Sequence, residues 1–272
     1  GIPGTSNLVA FMDGIYGGGG TAVIAQKPWF RFFEQGYNFW AQSSGLTFVY
    51  EPNDDRAPLS GGAIGIAGVR PDMRVSGTLI DGDFGVLAVN YFPNGFGNSG
   101  FDGDMIIDTG DIFYQNASNG PNGTNVALVN IVAHEVGHGI GIAHVEPVNG
   151  TKLMEPFINT SFFGPQEDDI FNANILYGDR LERNDVRTEA TNLGTLRPNQ
   201  PVVADIVSID NPNTDRDWYR IQIDAPDDLG VLLRPIGSSY DAGPQNGVAV
   251  TVNRREQNDL AFRVHDANGN VI

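Results

Sequence analysis

Apolar residues recur at three- and four-residue steps through residues 28–42, PWFRFFEQGYNFWAQ, where Trp29, Phe32, Phe33, Tyr37 and Trp40 share one face behind a helix-opening Pro28. The spacing predicts an amphipathic helix packed on a sheet. Shorter apolar runs around it predict strands: residues 8–12, the LTFVYEP run after Gly45, RPDMRV at 70–75, and residues 86–91. A polar loop, NASNGPNGT at 116–124, separates these from a second helix-forming run, TNVALVNIVAHEVGHGIGIAH, with Thr124 or Asn125 as its N-cap and a break at Gly139 and Gly141. A third helix is predicted in GPQEDDIFNANILYG, where Asp168 and Asp169 in the first turn complement the helix dipole.

Beyond Gly178 the pattern changes. Residues 179–189, DRLERNDVRTE, are charged, and 180–189 read as a linker. After them come β-like runs at 202–206, 218–223, 248–252 and 260–264, separated by Asp, Asn, Gly and Pro. This predicts an α+β domain over 1–179 followed by a small β-sandwich over 190–272.

Composition narrows the setting. A chain of 272 residues, 40% hydrophobic, is long enough for a good core and two domains. Its net charge of −17, with only Lys27 and Lys152 as lysines, argues against nucleic acid or an anionic membrane as partners. An acidic surface of this kind suits an extracellular protein that binds calcium, and equally a merely solubilising surface. There is no cysteine, hence no disulfide and no thiolate to mask a metal. No window has the eighteen or so apolar residues of a membrane span and no basic leader opens the chain, so Gly1 reads as the start of a processed or trimmed form.

Chemistry concentrates in residues 134–144. His134 and His138, four apart on a helix, project from one face within reach of a single metal ion, and Glu135 lies beside them. Gly141 stands where the chain must fold back for His144 to approach the same point. Three of the four histidines fall within eleven residues, which core packing does not explain. Three imidazoles leave a coordination position open, the mark of a catalytic zinc site.

The full pattern, His-Glu-x-x-His-x-x-Gly-x-x-His, resembles the metzincin metallopeptidases. Leu153-Met154-x-Pro156, ten residues after His144, resembles the methionine turn of their matrixin branch, whose thioether floors the three imidazoles. The resemblance covers residues 5–178 and implies a twisted, mostly parallel sheet with long helices and a zinc cleft. It implies zinc held by His134, His138 and His144, Glu135 as general base and acid, and Gly141 and Met154 as supports. It implies calcium, with Asp81, Asp102 and Asp104 as ligands or as turn-capping aspartates; where Met105 replaces a calcium-binding Glu, either Asp104 or Asp108 stands in or that site is absent. It further implies an extended peptide substrate paired along the edge strand at Val86, Leu87, Ala88 and Val89, with Asn130, Pro156 and Phe157 around the pocket. Asn90 and Gly100 replace histidines that hold a second zinc in animal matrixins, so one zinc is expected. Phe157 stands where other metzincins have a metal-binding Tyr, and Val145 follows the third histidine where matrixins often have Ser or Asp.

NDVRTEATNLG and TDRDWYRIQI resemble the bacterial pre-peptidase C-terminal domain, here without its final strands. Asp215 and Asp217 are calcium candidates or turn residues, and His265 is expected to face solvent. The expectation is therefore a secreted, monomeric zinc endopeptidase. A non-catalytic zinc-containing module that grips peptides along the edge strand is the alternative. A peptidase taking Glu155 or Glu167 as third ligand is another.

Overall fold

The computed structural model describes residues 6–56, 64–93, 102–116, 125–202, 215–224, 228–256 and 260–272. At its centre is α3 (Val126–Gly139), buried along nearly its whole length. A helix apolar all round needs neighbours on every side. The first is α2 (Phe30–Ser43), the expected aromatic helix, which buries Phe32, Phe33 and Trp40. Gly36 allows its close approach, since a Cβ there would lie 2.6 Å from the Val132 side chain. The Trp40 indole N–H donates to the Ala133 carbonyl across the same contact, 2.8 Å away.

On another side lies a three-stranded sheet in the order β1–β3–β2, formed by β1 (Val75–Thr78), β2 (Ala88–Asn90) and β3 (Met105–Asp108). The central strand is buried throughout. It pairs parallel with β1 and antiparallel with β2, so the described sheet is mixed, where a mostly parallel one was expected. The 70–75 run enters the sheet only at Val75, and β2 falls within the predicted 86–91 run.

Two early strands are corrected. Residues 8–12 open a helix, α1 (Leu8–Tyr16), because Leu8, Phe11, Met12, Ile15 and Tyr16 continue a helical stripe that five residues are too few to show. It ends at Gly17, at φ +80°. The LTFVYEP segment joins no sheet; Phe48 packs edge-on against Tyr37 and Tyr50 against Phe30, so its alternation serves contact with α2.

After α3 the chain forms β4 (Val145–Glu146) and then α4 (Glu167–Tyr177), capped by a reciprocal box between Gln166 and Asp169. The segment expected as a linker is anchored: Asp179 is 3% exposed and Asn184 fully buried, and the Asn184 carbonyl accepts from the Trp218 N–H. The described strands beyond it do not assemble as the expected sandwich. β5 (Thr191–Leu196) and β6 (Tyr219–Ile223) form a parallel pair, while β7 (Ser239–Pro244) and β8 (Val250–Asn253) form a hairpin that extends β4. Residues 260–264 are not a strand, and most of the 202–206 run lies outside the described residues. His265 is half-buried against the Trp218 ring, not solvent-facing as expected.

Candidate metal centre

His134 and His138 leave α3 on the same face, and the turn that follows brings back His144. The C-terminus of α3 closes as a Schellman motif: Gly141 N–H donates to His138 carbonyl and Ile142 N–H to Gly137 carbonyl, both at 2.9 Å. Gly141 takes the left-handed conformation, φ +98°, that this cap demands. Tyr177 of α4 fastens the turn by donating its hydroxyl to the Ile140 carbonyl.

The three rings meet through their Nε2 atoms, His144 Nε2 lying 3.2 Å from both His134 Nε2 and His138 Nε2. Tetrahedral zinc with Zn–N bonds of about 2.0–2.1 Å requires ligand nitrogens roughly 3.3 Å apart. His134 Nδ1 lies 2.7 Å from the Leu153 carbonyl and His138 Nδ1 2.8 Å from the Ile142 carbonyl. A carbonyl only accepts, so each Nδ1 carries the ring proton and each Nε2 keeps its lone pair for a metal. Burial also holds His134 down to about 3 and His138 to about 4, so both are neutral at ordinary pH. The donor set fits zinc.

Glu135 is 6% exposed, and its Oε2 is buried without a hydrogen-bond partner. Burial raises it to about 8. In the metal-free protein a folded value above the ordinary 4.5 gives stability that is fully present below about 4.5 and lost as pH rises through 8. Metal-free wild type should therefore lose stability between those values relative to Glu135→Gln, as read by denaturant unfolding in chelator. Parallel pH profiles would contradict this.

Met154 is fully buried beneath α3. Its sulfur occupies the space a Cβ on Gly137 would enter, and the Trp40 ring stands 3.0 Å from the same point. Gly137→Ala should destabilise the metal-free protein by about 1–3 kcal/mol through overpacking, and weaken zinc binding by displacing His138. Unfolding and zinc titration of one preparation check both; an unchanged unfolding midpoint would reject the close contact.

The methionine turn holds the first and third histidines together: Leu153 carbonyl receives His134, and Met154 carbonyl accepts the Val145 N–H beside His144. Asp169 in turn holds this turn, its carboxylate accepting Leu153 N–H at 2.8 Å and Met154 N–H at 3.0 Å as well as closing the α4 cap. By its place in the first turn of α4 alone, Asp169 would only complement the helix dipole. Glu155 stands apart from the histidine cluster: its carboxylate accepts the N–H groups of Gly150, Thr151 and Lys152. Glu167 is likewise engaged, by the Ser238 N–H and hydroxyl.

β2 is an edge strand of the sheet among the described residues. Leu87 carbonyl accepts from Asp108 N–H and Tyr91 N–H donates to Asp104 carbonyl, so Leu87, Val89 and Tyr91 turn their backbone groups inward. By alternation Ala88 and Asn90 present theirs to the open edge, and Val86 N–H is held by Asp81. The strand leads to Phe92, whose ring lies 5.3 Å from that of His138. Asn130, fully buried, donates to the Asn159 and Phe162 carbonyls and accepts from Gly164 N–H, so it fastens the segment after Met154. Pro156 and Phe157 stand exposed on that segment.

Asp81, Asp102 and Asp104 are not brought together as a three-carboxylate group among the described residues. Asp81 holds Val86 N–H within its own loop, whereas Asp104 holds Arg74 N–H across to the segment that enters β1. Asp108 holds the N–H groups of Asp81, Gly82 and Gly110. A different acidic group, Glu182, Asp185 and Asp215, does converge, with oxygens within 4.8 Å of one another. Burial raises neighbouring Asp217 to about 7, helped by the charges of Asp179, Asp215 and Glu182.

A sequence model of the matrixin family matches residues 21–178. Stromelysin-1 of Rattus norvegicus is 30% identical over 180 residues, 61% of this chain and 35% of its own length, so the chain spans about a third of that relative.

Proposed function

The chain belongs to the matrixin family, and from that premise we propose that it is a zinc-dependent endopeptidase in which His134, His138 and His144 hold the metal and Glu135 moves the protons. The observation that carries this reading is the convergence of three Nε2 atoms, with the residue next to His134 a buried carboxylate that has one oxygen uncommitted. Bound zinc supplies a Lewis acid that polarises the peptide carbonyl and acidifies water.

Glu135 takes the proton of the attacking water and returns it to the leaving amine nitrogen, so no covalent link to the protein forms. Its carboxyl is buried, so the proton it carries between water and amine is shielded from bulk solvent. The substrate lies extended along β2, meeting the outward groups of Ala88 and Asn90, a ready template for a peptide backbone. Pro156 and Phe157 form the opposite wall, tethered through Asn130. With Phe157 in place of a phenol, that position donates no hydrogen bond to the developing oxyanion.

The acidic chain and the family support an extracellular setting, and no helix among the described residues is long and apolar enough to cross a membrane. The test is digestion of an unfolded protein such as reduced casein. Cleavage abolished by a zinc chelator and restored by zinc supports the proposal; stoichiometric zinc with no turnover of any unfolded substrate would favour a peptide-gripping module.

A further inference from the structure

Two of the three histidines have their Nδ1 protons placed by backbone carbonyls of residues 142 and 153, inside the family match. The third does not. His144 Nδ1 faces the side-chain amide of Gln245, 3.4 Å away, across 101 residues of chain and outside that match.

Gln245 is held there by a docked hairpin. β7 adds to β4, the two-residue strand directly after His144, with Val145 opposite Pro244 and Glu146 opposite Gly243. Asn246 N–H donates to the Glu146 carboxylate at 3.3 Å. At the other end of the hairpin, Ser238 donates twice to Glu167 of α4, and the Arg254 guanidinium lies 3.4 Å above the Phe171 ring. The backbone on both sides of the contact is thus tied to the elements that flank the metal centre.

We infer that Gln245 is a positioning residue for the third metal ligand, so that the C-terminal hairpin completes the centre built by residues 134–144. The inference rests on the reading that the three histidines bind zinc. With His144 Nε2 directed to the metal, its ring proton sits on Nδ1 and needs an acceptor. Gln245 supplies one when its terminal amide turns to present Oε1 in place of Nε2, a rotation about one bond that moves no other residue. The acceptor then fixes the tautomer and plane of the one histidine that leaves the rigid helix, and increases its basicity as a ligand.

Zinc alone is the probe, on the full chain, with a chromophoric chelator competing for the metal. Gln245→Leu removes the acceptor and should weaken zinc binding by about 10- to 100-fold, the range for lost outer partners of ligating histidines. Gln245→Glu supplies a stronger acceptor and should hold zinc at least as tightly as wild type. Gln245 is exposed, so both variants should unfold in chelator at the wild-type midpoint. The cobalt-substituted leucine variant should show a shifted visible absorption, and the glutamate variant the wild-type band. Zinc binding of Gln245→Leu within about twofold of wild type, or equal weakening in both variants, would overturn the inference while leaving the zinc reading intact. A wild type that holds no zinc would reject both.

Discussion

Replacing Glu135 with glutamine is expected to leave a folded protein that still binds one zinc and has lost between about a hundredfold and ten-thousandfold of kcat/KM, the usual contribution of a positioned proton-transfer group. The argument is geometric. Glu135 is one residue from His134 and buried, yet it makes no bond from Oε2 and is absent from the three-histidine cluster. Losing its charge should therefore spare the ligands and remove only the proton carrier. Since ionised carboxylate is needed to accept the first proton, wild-type activity should fall as pH drops and Glu135 becomes protonated, and the residual activity of the variant should lack that limb. Single-turnover cleavage of a quenched peptide across pH, alongside metal analysis, checks both. Activity within a few-fold of wild type would reject the assigned role.

His144→Ala should produce the second large effect, on the metal itself. Roughly 10–16 kcal/mol holds zinc in a four-ligand site, or about 3 kcal/mol for each ligand, so its loss should weaken binding by about a hundredfold or more. Glu155→Gln is the informative companion. Its carboxylate is committed to three backbone N–H groups, so that substitution should loosen the 150–155 loop and leave zinc stoichiometry unchanged. Chelator competition on the two variants separates them; the reverse ranking would make Glu155 the third ligand.

The centre was legible because its determinants are local. His134 and His138 need only a helical register, and the return of His144, six residues after His138, needs only a glycine able to adopt positive φ just past the helix end, which Gly141 supplies. Met154 was legible for the same reason, lying ten residues on. What holds these parts was less so. Asp169 shows in sequence as an acidic residue at a helix start, and nothing in its neighbours reveals that its carboxylate also reaches back to Leu153 and Met154. Gln245 lies 101 residues from its partner in a polar turn, with no local pattern to mark it.

Among the elements, α2 and α3 carry long periodic patterns that mark them as helices from sequence alone. Residues 8–12 are too few to distinguish a strand from the first turns of a helix, and the 46–52 segment alternates because it packs on α2. Of the C-terminal runs, 218–223 and 248–252 contain strand residues and 260–264 does not, none of them marks β5 or β7, and pairing is a non-local choice: β7 takes β4 as its neighbour, a strand on the far side of the expected linker.

The central claim, that three imidazoles hold one zinc with a position left open, is tested most directly by the zinc-edge X-ray absorption spectrum of the metal-loaded full chain. The account predicts one zinc per chain with three imidazole nitrogens at about 2.0–2.1 Å and the multiple-scattering pattern of their rings. Two imidazoles with a protein carboxylate, or a filled shell of protein ligands, would contradict it.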